Sequence, residues 1–336
     1  MKKVLLGILI LILVFIAYNF NSVTYGLKQA YGQLRILTKA QSLESYLEEN
    51  QLSENQKKKI EFIKYVKDYA VDSLGLEPSS SYEKIYDQKG KPILWMVTAS
   101  PTFELKAYEW SFPIAGKFSY KGFFDYLASL QEREDMEAKG YDVEIDEVSA
   151  WSTLGWFSDP ILSSMLEKDS SRLANLIIHE LFHGTVYLKD SVELNENLAS
   201  FVGRKGAERL FYSIGDTALM NSVKEKRAKR EKIGELIRKS AHQLDSLYKS
   251  FDEDLSRERK LRKKREMIEE IRWKVAALLA GQDLTEAERY YLEFNPNNAY
   301  FTGYLTYRSK GDQFEKELQE QFNGDIVKFI AHYKNQ

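Results

Sequence analysis

The sequence predicts a mainly helical α+β chain with a small sheet, an N-terminal apolar helix and a long, charged helical hairpin. Three observations carry this. An uncharged apolar run from Val4 to Phe20 follows Met1-Lys2-Lys3. Apolar residues recur at helical spacing from Tyr25 to Leu76 and again beyond Leu173. Between them, short alternating segments from Ile93 to Ile145 read as strands. The expected divisions are residues 1–27 as a transmembrane anchor or uncleaved signal, 28–160 as a helical and β-rich part, and 161–336 as a helical part carrying the hairpin at about 215–280.

Composition narrows the chemistry. The 336 residues carry a net charge of −2, which offers no electrostatic argument for nucleic acid. There is no cysteine, so disulfides, thiolate metal ligands and a cysteine nucleophile are all excluded. Any metal ligands must come from His, Asp and Glu.

The apolar run Val4–Phe20 is just long enough to span a bilayer. No small-x-small cleavage site follows it, and a lipoprotein signal would need a cysteine. Lys2 and Lys3 favour an orientation with the N-terminus in the cytoplasm, leaving the rest of the chain outside the cytoplasmic membrane. After the helical pattern to Leu76, Gly75–Ser81 is a break. Strands are expected over Ile93–Thr98, Phe103–Phe112 and Gly116–Phe124, a helix over Phe123–Lys139, and a strand over Gly140–Ile145. Val148–Phe157 has strand character with polar edges. It reads equally as an edge strand that aligns an extended substrate by backbone pairing and as a core strand with aromatic packing.

Leu173, Leu176, Ile177, Ile178, Leu181, Phe182 and Val186 make a strongly apolar helix, with cap chemistry at Asp169-Ser-Ser-Arg172 before it. Within it stands His179-Glu180-x-x-His183, the zincin motif. Positions i and i+4 share a helix face, so both imidazoles can reach one zinc ion. Glu180 is offset from that face, placed to take a proton from water. Only four histidines exist in the chain, and two fall at ligand spacing. A third ligand is required, and Glu193 and Glu196 are both within reach. Glu196 is preferred because its same-face successors Ala199, Ser200 and Gly203 are small and permit close helix packing. Glu193 stands nearer the helix start, where a carboxylate suits the dipole; it could instead hold a substrate's amino group.

Between Lys224 and Arg272 there are 17 Lys/Arg against 11 Asp/Glu, with an apolar stripe through Ile233, Ile237, Leu244 and Tyr248. The interspersed acids and the lack of stacking aromatics mark a solvated helical hairpin, not a nucleic-acid surface. A short helical tail is expected over Phe314–Ile330.

Several segments together resemble the predicted bacterial aminopeptidases, envelope proteins classed with zinc peptidases of the gluzincin type. They include Tyr31–Arg35, Phe112–Gly116, Tyr120–Phe124, Gly140–Val143, Ser152–Phe157 with Asp159-Pro160, His179–His183, Asn195-Glu196, Asn297–Ala299 and Thr306-Tyr307. The resemblance implies a zincin-like metallopeptidase with one zinc ion on His179, His183 and Glu196, and Glu180 as general base. Tyr307, or Tyr304, is the candidate donor to a tetrahedral oxyanion. The expected partners are a peptide or protein substrate and, through the N-terminal helix, the membrane. An endopeptidase of envelope proteins and a non-catalytic zinc-containing scaffold are the rival readings; an intact Glu180 argues against the latter. Two departures stand out. The position four residues after Glu196, often aspartate in gluzincins, is Ser200, which moves a supporting carboxylate elsewhere, with Asp190 the nearest candidate. A glycine-rich exopeptidase signature with an amine-binding glutamate is also missing.

Overall fold

The structure, a computed structural model, describes residues 2–335 apart from 114–115, 149–157, 190, 216, 282 and 308–310. Its architecture is mainly helical with small sheets, an α+β arrangement. Helix α1 (Lys2–Tyr18) breaks from α2 (Phe20–Lys39) in a sharp bend at Asn19. At 1.5 Å per residue α1 reaches about 25 Å, against roughly 30 Å of bilayer hydrocarbon. Accordingly no single described helix is long and apolar enough to cross a membrane; α1 and α2 meet that length and composition only as a pair. The expected continuous span is thus divided. The apolar side chains of α1, from Val4 to Phe15, are largely exposed. Helix α2 is pinned to the body by Tyr25, whose hydroxyl donates to the Gly122 carbonyl at 2.9 Å, and by Gln29, which donates to the same oxygen at 3.0 Å.

The helical run expected to Leu76 is cut into β1 (Gln41–Ser42), α3 (Leu43–Glu49) and α4 (Glu54–Asp72). Ser42 and Ser53 explain the cuts, because each caps the following helix; Ser53 and Gln56 form a reciprocal capping box. Strand β2 (Lys84–Tyr86) follows, then β3 (Trp95–Pro101), β4 (Trp110–Phe112), β5 (Gly116–Phe118), β6 (Lys121–Phe123), α5 (Tyr126–Ala138) and β7 (Tyr141–Glu147). Only the last three residues of the expected strand Phe103–Phe112 are extended in a sheet. Ser100 Oγ donates to the Glu104 carbonyl at 2.9 Å and accepts from the Lys106 amide at 3.3 Å, folding the preceding residues into a turn. The antiparallel sheet has the order β6-β3-β7, with Trp95 opposite Glu147 and Pro101 opposite Tyr141.

Strand β8 (Ile161–Leu162) pairs in parallel with β2 and leads into α6 (Ser170–Thr185) and α7 (Val192–Ile214). The largest core joins Ile63 and Val66 of α4, Ile85 of β2 and Ile161 of β8 to Ile177 and Phe182 of α6 and Phe201 of α7. Helices α8 (Thr217–Lys249) and α9 (Arg257–Ala280) form the charged hairpin. Lys229 near its open end donates to the Leu279 carbonyl at 2.9 Å, which shows that the two run antiparallel. After α10 (Leu284–Glu293), α11 (Asn298–Tyr307) packs on the hairpin and the sheet. A buried polar network joins all three: Lys264 of α9 pairs with Asp142 of β7, which accepts the Asn298 amide at 2.9 Å, while Tyr248 of α8 donates to Asn298 at 2.7 Å. The expected tail helix is two, α12 (Gly311–Phe322) and α13 (Ile326–Lys334), because Asn323 and Gly324 both adopt left-handed φ, 54° and 76°.

Candidate functional site

Helix α6 starts where Asp169 accepts the Arg172 amide at 3.0 Å, and it buries Leu173, Ala174, Ile177, Ile178, Leu181 and Phe182. Burial of this face turns His179 and Glu180 toward α7 and the adjoining cleft, with His183 only 3% exposed. Helix α7 lies very close. A β-carbon on Gly203 would fall 2.7 Å from the Asn175 carbonyl and 3.1 Å from His179 Cβ. The connection between the helices is held by Asn195, which accepts from the Leu188 amide at 2.8 Å and donates to the Leu188 carbonyl at 2.7 Å. This two-point bond fixes the first turn of α7, and the next residue, Glu196, faces the histidines.

His179 Nε2 and His183 Nε2 are 3.2 Å apart, and the two Glu196 carboxylate oxygens lie 3.6 Å from the first and 3.4 Å from the second. The donors thus form a triangle with nearly equal edges. A tetrahedral ion with bonds of about 2.0–2.1 Å separates its ligands by about 3.3 Å, so the triangle fits zinc dimensions. Glu180 joins the two histidines in a group whose ligand atoms all lie within 4.8 Å of one another and could hold a metal ion. Glu196 closes the tighter triangle and Glu180 borders it, as suits one ligand and one neighbouring base.

Electrostatics tie the group together. Burial works against ionisation of Glu196, but hydrogen bonds from His179 and His183 outweigh it and hold the carboxyl down at about 2. Burial likewise opposes charging of His179, yet Glu196 and Glu180 raise its pKa above the ordinary imidazole value. Ser200 Oγ lies 3.5 Å from His179 Nδ1, at the outer limit of a hydrogen bond. A hydroxyl thus occupies the place where a carboxylate was sought. His183 Nδ1 is buried with no partner among the described residues.

Tyr82 was not legible as a site residue. It is 7% exposed, adopts φ 66°, and lines a cleft of about 100 Å³ with Glu77, Ser81, Asp159 and Glu180. Its amide donates to the Asp159 carbonyl at 2.7 Å, and the Asp159 amide donates to Ser81 Oγ at 3.0 Å. Burial, with the nearby Glu180 and Asp159 carboxylates, pushes the Tyr82 hydroxyl well above its usual range. The one available signal was the Gly75–Ser81 break, which marks a loop but not its destination.

The side chains of Tyr307 and Glu193, the residue Asp190 and the segment 149–157 lie outside the described residues. Tyr304 packs against α8, where a β-carbon on Gly234 would fall 2.2 Å from its hydroxyl. No curated protein and no solved structure matches the chain. Residues 24–335, nearly its whole length, match the model of a family described as "Putative aminopeptidase", and the chain belongs to that family.

Proposed function

We propose that this chain is a zinc-dependent peptidase, an aminopeptidase, with His179, His183 and Glu196 as metal ligands and Glu180 as general base. The observation that carries the reading is the triangle of donors with edges of 3.2, 3.4 and 3.6 Å beside Glu180. A zinc ion held there would polarise the scissile carbonyl and acidify a water molecule. Glu180 takes the proton of the attacking water and passes it to the nitrogen of the leaving amine. Water adds to the carbonyl carbon, the C–N bond breaks, and a carboxylic acid and an amine result. Tyr307 is the proposed donor to the tetrahedral oxyanion.

The test compares two variants. Glu180→Gln should keep a full complement of zinc and lose about 10²–10⁴-fold in hydrolysis, whereas Glu196→Ala should lose the zinc itself. Metal content by atomic emission and turnover of peptide substrates measure the two effects separately. Near-wild-type turnover by Glu180→Gln would reject its role, and full zinc in Glu196→Ala would reject the ligand assignment.

A further inference from the structure

The cleft behind Glu180 has a chemistry of its own. Its lining includes the side chains of Glu77, Asp159 and Glu180, and no Lys, Arg or His is among its lining residues. Glu77 is engaged by Lys334 of α13. Asp159 is 5% exposed, and the Tyr82 hydroxyl senses both Asp159 and Glu180, which places it at the acidic end of the cleft. That hydroxyl has no hydrogen-bond partner among the described residues, although its ring is almost wholly buried. A buried hydroxyl without a partner costs about 1–3 kcal/mol, so the position calls for a ligand. Carboxylates on the same walls would repel a developing oxyanion and attract a cation. The volume, about 100 Å³, holds a few water molecules or one small ammonium group with its α-carbon.

We propose that this cleft anchors the free α-ammonium group of a peptide substrate, with Asp159 and the Tyr82 hydroxyl oxygen as acceptors. The proposal rests on the peptidase reading above and adds to it the class of substrate. The α-nitrogen of a peptide lies only about 2.5 Å from its own carbonyl carbon, with the α-carbon between. An ammonium seated beside Glu180 therefore presents the first peptide bond, and no later one, to that carboxylate. The wall formed by Tyr82 and Asp159 leaves no room for a residue before it. Ser81 and the Tyr82 amide, both bonded to Asp159, hold the wall in place.

The experiment uses the zinc-loaded full chain with two probes, trialanine amide and its N-acetylated form. The wild type should cleave the free amine and release alanine, and should leave the blocked peptide nearly untouched. Tyr82→Phe, which keeps the ring and its packing, should raise KM for the free amine about 10-fold with kcat little changed, since a hydrogen bond to a charged group contributes about 1.5–3 kcal/mol. Asp159→Asn should raise it further. Equal cleavage of free and blocked peptides, or an unchanged KM in Tyr82→Phe, would overturn the anchor while leaving the peptidase reading intact. Should neither peptide be hydrolysed, the peptidase reading fails, and calorimetry with L-alaninamide still decides the anchor. Binding that is weakened in Tyr82→Phe and absent for N-acetylalaninamide supports it; no binding, or binding indifferent to either change, overturns it.

Discussion

Ser200 shows how much one atom at the second layer of a site controls. Its hydroxyl approaches His179 Nδ1 at 3.5 Å, a weak contact for a nitrogen whose orientation decides where Nε2 points. A carboxylate in that place would fix the ring and make it a stronger donor to a metal. Ser200→Asp is therefore expected to tighten zinc binding by about 10-fold, read by competition with a fluorescent chelator. Unchanged or weaker binding would show that the hydroxyl is not supporting His179. Asn195 acts differently: its side chain bonds both backbone groups of Leu188, so the helix connection is held without a second strand.

At the scale of elements, the site depends on how closely α7 approaches α6. Gly203 is the contact point, and the Asn175 carbonyl at 2.7 Å from a new β-carbon is backbone that cannot swing aside. Gly203→Ala should lower stability by about 1–3 kcal/mol and weaken zinc binding as Glu196 is displaced from the histidines. Thermal unfolding and metal titration report the two effects, and a variant with wild-type zinc affinity would disconnect the packing from the site. Strand β7 holds a second test. Burial, then the charge of Asp146, pushes Glu144 from its ordinary 4.5 up to about 7. Its folded pKa is raised, so its contribution to stability is complete below 4.5 and is lost as pH rises through 7. Glu144→Gln removes that loss. The variant should match the wild type below pH 4.5 and exceed it by about 2 kcal/mol at pH 8, measured by urea unfolding.

For the whole molecule, the apolar surface of α1 is the largest unsatisfied feature, with Leu5 62% and Leu11 70% exposed. Beside it, Phe15, Tyr25, Phe112, Phe118 and Tyr120 line a mainly apolar groove between α2 and the hairpin of β4 and β5. Aromatic side chains of this kind settle at the boundary between lipid and water. These features support the proposal that α1 and the start of α2 tether the chain to the cytoplasmic membrane with the catalytic region outside. Protease added to spheroplasts should then digest residues beyond Lys28 while cytoplasmic controls survive. A protected chain would reverse the orientation.

Period and capping, being local, were readable from the chain alone. The i, i+4 spacing of His179 and His183 directs both imidazoles to one face, Asp169 starts their helix, and the apolar stripe of α8 marks the charged hairpin. The small residues after Glu196 also announced a close helix contact, because side-chain volume sets the distance at which helices meet. Tertiary structure alone decided what depends on partners far along the chain. Ser100 turned a stretch of strand-like composition into a loop, and Asn195 bound Leu188 to set the angle between α6 and α7. Tyr82, in an unremarkable loop, was carried against Glu180 by backbone bonds to Asp159. No periodicity encodes such a meeting, since it is made by hydrogen bonds between segments whose spacing in sequence is arbitrary and whose closeness only the packed core enforces.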